Sequence, residues 1–300
     1  MSMEAIKQRA LTLLFLSLLF TAKADAAVLF VIPEYSPNSI ALVNKTNRHL
    51  GTDIDIKTIV DVDPLDTEQY KAIVLVGSTV LTQWPGSSIP TIAILVSTKQ
   101  VSKHKQSLAT SIYADPPLAR QVLLAIELLG AKQPIGILFK NRQQLVEYNI
   151  ADVSIETWRQ MKISLYFADE SESVAHALVP LLRDNSALVG IYDNELYSPE
   201  NIKTILISAY RQNIPLIGPS AAYLKAGALA STYSNIDDTA LRLSEVLKQG
   251  LTTGQWPAAD YNPYFHVGFN EQVGRSLNMP LPNAEALANK IRAIEAADSK

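Results

Sequence analysis

Polar side chains follow many of the apolar runs in this sequence, and these side chains are candidates for binding a ligand. Ten positions are predicted to line such a site: Tyr35, Ser36, Ser78, Thr79, Ser97, Tyr113, Asp193, Asn194, Ser220 and Tyr223. Hydroxyls, together with backbone N–H groups at helix starts, suit a carboxylate, and the acid of Asp193 suits an amine. Tyrosine rings suit a flat apolar group. The pattern therefore predicts a small-molecule site, with an amino acid or a similar compound as the ligand.

Several of these residues also have an ordinary structural interpretation, which the sequence leaves open. Ser36 and Ser78 suit helix caps or turns, and Asp193 suits the cap of a loop. Tyr223 suits packing near a hinge. Tyr197 is predicted to pack on Ile202 at the start of a helix rather than to contact a ligand.

The sequence lacks the patterns that mark common catalytic and cofactor sites. It has no nucleophile elbow, no paired-histidine zinc helix, no phosphate-binding glycine loop and no dinucleotide fingerprint. The histidines lack ligand spacing: His49, His104, His176 and His266. We therefore predict no catalytic residue, no cofactor and no metal, and an enzyme remains only an alternative.

Strand-like and helix-like patterns alternate along the chain. Strands are predicted at 28–32, 54–60, 72–76, 91–96, 135–139, 163–167, 187–191, 214–217, 228–231 and 264–269. Helices are predicted at about 39–50, from Pro116 to Leu129 with Asp115 as cap, from Ser198 onward, and at 235–249, 271–277 and 283–297. Residues 82–89 and 252–262 read as loops. This alternation predicts an α/β fold built from parallel sheets, whose ligand lies beyond the carboxyl ends of the strands.

Length and composition limit the class of protein. The chain has 300 residues, of which 48% are hydrophobic and 18% charged, so it is long enough for two globular lobes. A net charge of -3 argues against a nucleic-acid partner. The one notable basic cluster is interpreted as a solvated face: Lys99, Lys103, His104 and Lys105. The absence of cysteine excludes disulfides and thiol catalysis.

The first 26 residues have the pattern of an export signal. Lys7 and Arg9 precede the apolar run 10–20, and Ala24-Asp25-Ala26 fits a cleavage site before Ala27. Cleavage after Ala22-Lys23-Ala24 and an uncleaved anchor are the alternatives. The sequence thus predicts an exported, periplasmic protein.

The second half of the chain resembles the ABC transporter substrate-binding protein family, which has the type I periplasmic binding protein fold and includes tryptophan- and aromatic-amino-acid-binding members. The resemblance lies in Tyr197-Ser198-Pro199-Glu200-Asn201-Ile202, Ile214-Pro215-Leu216-Ile217-Gly218 and Lys225-Ala226-Gly227-Ala228-Leu229-Ala230-Ser231. Helix 235–250, Glu271–Pro280 and Ile135–Phe139 extend it. It covers roughly residues 135–282 and is poor over 27–132. These motifs are specific to a fold and family, not to a ligand.

The resemblance implies two doubly wound parallel-sheet lobes that close about a hinge on a small ligand. On that pattern residues 27–130 and 235–262 form the N-terminal lobe, residues 131–234 and 263–282 the C-terminal lobe, and 283–300 a helical tail. The segment 61–71 is shorter than the family's helix, so a shortened first lobe is expected. The implied function is delivery of the ligand, by a monomer, to a membrane ABC permease. The alternative is a sensor or protein-interaction subunit whose cleft has degenerated.

Overall fold

The computed structural model describes residues 27–130, 132–148 and 162–298. The predicted signal segment and its cleavage site lie outside the described residues. Within them, the chain forms two six-stranded sheets, each with helices on both faces. We call each sheet with its helices a lobe. The prediction of two doubly wound lobes in an α/β fold is confirmed.

The first lobe is built on strands in the order β2-β1-β3-β4-β5-β11. The strands span Val28–Ile32 (β1), Ile54–Thr58 (β2), Ala72–Val76 (β3), Thr91–Val96 (β4), Thr110–Tyr113 (β5) and Asp260–Tyr261 (β11). Neighbouring strands are parallel, with Phe30 opposite Ile56 and Val74. Its helices are Pro37–Leu50 (α1), Ser78–Gln83 (α2), Thr98–His104 (α3) and, late in the chain, Ile236–Thr253 (α9).

The central strand β1 is buried along its whole length because both faces of the sheet are covered. Side chains alternate between the faces, so Val28, Phe30 and Ile32 pack with α1 and α9. Leu29 and Val31 enter the opposite core, with α2 and α3. The crossover between β2 and β3 contains only the short 3-10 helix Pro64–Gln69.

The second lobe is built on strands in the order β7-β6-β8-β9-β10-β12. They span Ile135–Phe139 (β6), Ile163–Phe167 (β7), Ala187–Val189 (β8), Leu216–Ile217 (β9), Ala230–Tyr233 (β10) and His266–Phe269 (β12), and only β12 runs antiparallel. Its helices are Leu118–Leu129 (α4), Gln144–Glu147 (α5), Val174–Asp184 (α6), Pro199–Arg211 (α7), Ala221–Ala226 (α8), Glu271–Ser276 (α10) and Ala284–Asp298 (α11).

Several sequence-based expectations differ from the structure. Helix α4, expected in the first lobe, packs its apolar face in the core of the second. It begins after Pro117 without a side-chain cap, because the carboxylate of Asp115 is bound elsewhere. Helix α9 continues past Gly250 and ends at Gly254, whose φ of 72° suits glycine. The 252–262 segment contains β11, which is too short to leave a periodic pattern.

The chain crosses between the lobes three times, at 114–117, 234–235 and 262–265. Polar contacts link the last two crossings: the Ser234 hydroxyl donates to the Tyr264 carbonyl at 2.6 Å. Helix α11 packs on α4 and β12, and its Arg292 donates to the Phe265 carbonyl at 2.7 Å. The predicted tail helix therefore packs on the second lobe, to which the sequence did not assign it, and also contacts the third crossing.

Candidate functional site

In each sheet the strand order reverses beside a central strand, at β1/β3 in the first lobe and at β6/β8 in the second. The crevice outside the carboxyl ends of strands at such a point is where open α/β sheets bind ligands. Tyr35 and Ser36 follow β1, and Ser78 and Thr79 follow β3. Asp193 and Asn194 follow β8. The end-of-strand residues predicted from sequence therefore flank these two points.

Asp193 is the most completely bound carboxylate at this edge of the second lobe. Its side chain is 1% exposed. Oδ1 accepts hydrogen bonds from the backbone N–H groups of Glu195 (2.9 Å) and Leu196 (2.8 Å). Oδ2 accepts one from Nε2 of Gln144 at 2.5 Å, and Gln144 lies on α5 after β6. The loop after β8 and the helix after β6 thus hold one carboxylate between them.

Lys99 brings the first lobe to the same carboxylate. Its Nζ lies 3.4 Å from Oδ2 of Asp193. Burial acts to raise the pKa of Asp193, but the backbone N–H of Leu196, the Lys99 ammonium and the backbone N–H of Glu195 outweigh it, so the pKa lies below its usual value. Asp193 is therefore ionised, and the contact is an ion pair between the two lobes.

Helix α3 is firmly positioned to present Lys99. Ser97 and Gln100 form a reciprocal capping box at its start. Leu95, which lies in β4 two residues before Ser97, has a φ of 54° and stands at an irregularity in the β4–β5 pairing. A left-handed conformation costs a non-glycine residue roughly 1–2 kcal/mol. The chain therefore carries backbone strain immediately before the residues that enter the cleft.

A second buried carboxyl, Asp115, lies at the end of β5 in the first lobe. It accepts hydrogen bonds from the backbone N–H of Thr98 (2.9 Å) and from the Thr98 hydroxyl (2.7 Å). Burial raises the pKa of this carboxyl above its ordinary value, although the Thr98 hydrogen bonds oppose the shift. The Thr98 hydroxyl lies 3.4 Å from the Tyr261 hydroxyl, and the rings of Tyr261 and Tyr113 meet edge to face at 5.0 Å.

Tyrosines from both lobes surround the two carboxyls. The Tyr148 hydroxyl donates to the Tyr192 carbonyl at 2.6 Å, and the Tyr223 hydroxyl donates to the Tyr197 carbonyl at 3.1 Å. Burial, followed by the charges of Asp115 and Asp193, raises the pKa of Tyr148. Tyr148 thus lies within the field of one carboxyl from each lobe. Burial likewise raises the pKa of other tyrosines there: Tyr113, Tyr192, Tyr197, Tyr223 and, to about 12, Tyr261.

The remaining predicted site residues have more local surroundings. Ser36 caps α1, and the exposed Tyr35 donates to the Ile56 carbonyl at 3.1 Å. Ser78 and Thr79 open α2, where Thr79 is exposed. Asn194 is exposed, and Ser220 precedes α8 without a side-chain cap. Among the predicted residues, Asp193 is the one that joins the lobes in the cleft. Ser97 caps α3, and Tyr113 and Tyr223 belong to the surrounding tyrosines.

Seven cleft residues were not selected from the sequence as site residues: Thr98, Lys99, Asp115, Gln144, Tyr148, Tyr192 and Tyr261. Gln144 and Tyr148 follow β6, so the end-of-strand rule that selected Asp193 also applies to them. Lys99 was interpreted as part of a solvated basic face, because the sequence gives no sign of the opposing carboxylate. Tyr261 lies on a strand of two residues.

In residues 27–130, 132–148 and 162–298, no group of histidine and acidic side chains is arranged to hold a metal ion. No helix in the same residues has the length and apolar character needed to span a bilayer.

Known proteins resemble this chain in structure rather than in sequence. No model of a protein family matches the sequence, and no curated protein matches it. A substrate-binding protein with adhesive properties from Clostridium difficile, in its ligand-free, open form, aligns with a TM-score of 0.64 at 14% identity, covering 86% of this chain and 96% of the other.

Two more solved structures align over a similar length. An ABC domain from Streptococcus pneumonia in complex with L-Trp has a TM-score of 0.54 at 15% identity, with 86% and 97% of the two chains covered. A periplasmic ribose ABC transporter from Conexibacter woesei has a TM-score of 0.51 at 13% identity, with 86% and 96% covered. The fold is therefore that of the type I periplasmic binding proteins, as the sequence resemblance predicted.

Proposed function

We propose that this protein is a periplasmic solute-binding protein that captures a small, amino-acid-like molecule between its lobes and delivers it to a membrane ABC importer. The observation that carries this proposal is the meeting of both lobes at Asp193. Lys99 from one lobe and Gln144 from the other bind the same carboxylate oxygen at the carboxyl edges of the two sheets. A ligand in that position contacts both lobes and so stabilises their closed arrangement.

The chemistry around Asp193 suits an aromatic or otherwise flat ligand that also carries polar groups. Tyrosine rings offer apolar faces, and the half-buried rings of Tyr113, Tyr192 and Tyr223 retain some exposure. The L-Trp complex on the same fold supports an amino acid, and the ribose transporter shows that the fold also serves other solutes. The chemical class of the ligand is therefore the first property to determine.

The experiment is thermal unfolding of the protein that begins at Ala27, in the presence of amino acids, sugars, purines and vitamins. A ligand at 1,000 times its dissociation constant adds about 4 kcal/mol to the free energy of unfolding, which raises the midpoint clearly. The shift should saturate with ligand and disappear in Asp193→Ala, but persist in Lys248→Ala, which alters an exposed residue of α9. A flat response from folded, ligand-stripped protein would overturn the proposal.

Export is part of the same proposal. Residues 1–26 carry the signal pattern, so the secreted form should begin at Ala27 or, with the second cleavage site, at Asp25. Mass spectrometry of the protein from the periplasmic fraction tests this directly. Recovery of only the full-length chain in the membrane fraction would instead support an uncleaved anchor.

A second function, a sensor or protein-interaction subunit with a degenerate cleft, is favoured by one observation. The polar groups in the cleft are largely bound by the protein itself: Asp193 by three neighbours and Lys99, and the hydroxyls of Tyr148 and Tyr223 by backbone carbonyls. A flat ligand response, combined with a saturable affinity for the periplasmic domain of a sensor protein, would establish this function in place of solute capture.

A further inference from the structure

The acceptor positions of Asp193 are filled by groups of the protein itself. An ionised carboxylate offers about four lone-pair positions. Oδ1 uses two on the backbone N–H groups of Glu195 and Leu196, and Oδ2 uses two on Gln144 and Lys99. Three of these donors belong to the second lobe, like Asp193 itself, so a movement of one lobe relative to the other does not separate them from it. Only Lys99 comes from the first lobe.

Lys99 is also the cation that faces the buried carboxylate directly. The nearby Lys140 ammonium is paired with the exposed carboxylate of Glu195, and its own side chain is 45% exposed. Lys99 is 31% exposed, so its charge is partly shielded from water where it meets Asp193. An ion pair of this kind is stronger than one at an open surface, because the surrounding dielectric is lower. Opening of the cleft separates the pair and leaves the Asp193 carboxylate facing solvent.

We propose that Lys99 is a built-in cation for the cleft: its ammonium occupies the position at Asp193 that a ligand's ammonium would take, and it draws the lobes together without a ligand. This inference rests on the proposed function, since it concerns the same cleft. A ligand with an ammonium group reaches Asp193 only by displacing Lys99. A ligand without one leaves the ion pair intact and can accept hydrogen bonds from the remaining Lys99 N–H groups. Lys99 is therefore a specificity-determining residue as well as a contact that favours closure.

The segment before Lys99 supports this assignment. Leu95 is held at a positive φ, and Ser97 and Gln100 fix the start of α3. Thr98 is tied to Asp115 by two hydrogen bonds. The backbone of Lys99 is thus held in place by its neighbours, which reduces the conformational entropy lost when the Lys99 side chain binds Asp193.

The test is an interlobe distance measured without ligand. The chain has no cysteine, so Gln83→Cys and Lys203→Cys, on exposed positions of α2 and α7, provide two unique sites for spin labels. In ligand-stripped protein we expect a short, narrow distance distribution. Lys99→Met should shift the mean to longer values and broaden the distribution, and Lys99→Arg should restore the short distance. Lys103→Met, an exposed position on the same helix, should have no effect.

An unchanged distribution in folded Lys99→Met protein, or an equal shift in Lys103→Met, would overturn the inference. Asp193→Asn should lengthen the distance, and combining it with Lys99→Met should add nothing, because both remove the same interaction. The outcome is independent of the ligand panel. If the interlobe distance depends on Lys99 but no compound of the panel raises the unfolding midpoint, this inference stands and the proposed function is refuted. If a compound raises the midpoint but Lys99→Met leaves the interlobe distance unchanged, the proposed function stands and this inference is refuted.

Discussion

Asp115 and Asp193 are both buried carboxyls beside the cleft, but their surroundings shift their pKa values in opposite directions. Asp193 gains two backbone N–H donors and an ammonium, which outweigh the effect of burial. Asp115 is bound by Thr98 and by its own backbone N–H, and burial dominates. Asp193 therefore contributes stability above the ordinary carboxyl pKa and loses it as the pH falls through the lowered value. For Asp115 the pH dependence is reversed: its contribution to stability is present below the ordinary carboxyl pKa and is lost as the pH rises through the raised value.

The Asp115 shift gives a prediction that depends on pH. Its raised pKa means that the folded protein binds more protons than the unfolded chain between the two pKa values, so its contribution to stability falls as the pH rises through that window. Asp115→Asn removes this titration but keeps an acceptor for the Thr98 N–H. Urea unfolding should show the variant gaining stability relative to wild type as the pH rises from the ordinary Asp pKa of about 3.9 through the raised value of the folded protein.

Comparison with wild type at each pH cancels the titrations that both proteins share. Thr98→Val is the matched variant: it removes the hydroxyl donor but keeps the carboxyl. It should therefore retain the pH dependence. A stability difference between Asp115→Asn and wild type that stays constant across this range would contradict the prediction.

Single residues of the site were predictable only where local sequence determines them. Asp193 was selected because it directly follows an apolar run, and Ser36 and Ser198 cap helices as their surroundings indicate. Asp115 was wrongly predicted to cap the helix that follows it. Its partner, Thr98, lies 17 residues away at the start of α3, after the neighbouring strand β4, and sequence spacing does not reveal such pairing.

At the scale of elements, the buried parallel strands were the most predictable part of the fold. The bounds of β1, β3, β4 and β6 coincide with the apolar runs, because strands covered on both faces carry continuous apolar sequence. The edge strand β7 also has its predicted bounds, although only its two end residues are buried. Short strands beside a crossing, such as β11, are held by their neighbour rather than by their own pattern. The lobe to which α4 belongs was likewise unpredictable, because its amphipathic face is compatible with either sheet.

Helix α9 gives a prediction about one element. It reaches the core of the first lobe from late in the chain, and Leu243 is fully buried against the strands there. Leu243→Ala should lower the free energy of unfolding by about 2–5 kcal/mol. Hydrogen exchange should show the largest loss of protection in β1, β3 and α1. Lys248→Ala, on the exposed side of the same helix, serves as the control; loss of protection confined to the second lobe would contradict the assignment.

At the scale of the whole molecule, the C-terminal helix α11 is an integral part of the second lobe. Leu287, Ala288 and Ile291 are buried in its core, and Glu295 receives two hydrogen bonds from Arg120 on α4, at 2.7 and 3.1 Å. Arg120 also donates to the Asn262 carbonyl at 3.1 Å. The tail thus links the second lobe to a crossing between the lobes.

Ile291→Ala tests this role of the tail. The side chain is fully buried, so we expect a loss of about 2–5 kcal/mol in the free energy of unfolding. The exposed Glu285→Gln on the same helix should change stability by less than about 0.5 kcal/mol. Chemical denaturation of both variants distinguishes a core helix from a peripheral one. If both variants change the free energy of unfolding by nearly zero, the tail is dispensable for the stability of the second lobe.

Neither lobe is a continuous stretch of chain. The first lobe needs α9 and β11, which come after all five parallel strands of the second lobe, and the second lobe needs α11, later still in the sequence. A chain that emerges from its amino terminus, whether from a ribosome or through an export channel, cannot complete its first core until about residue 250 is free. The first core is therefore completed only after the parallel strands of the second lobe have emerged. If the protein is exported as proposed above, this delay would favour passage across the membrane in an unfolded state, with both lobes completed together on the far side.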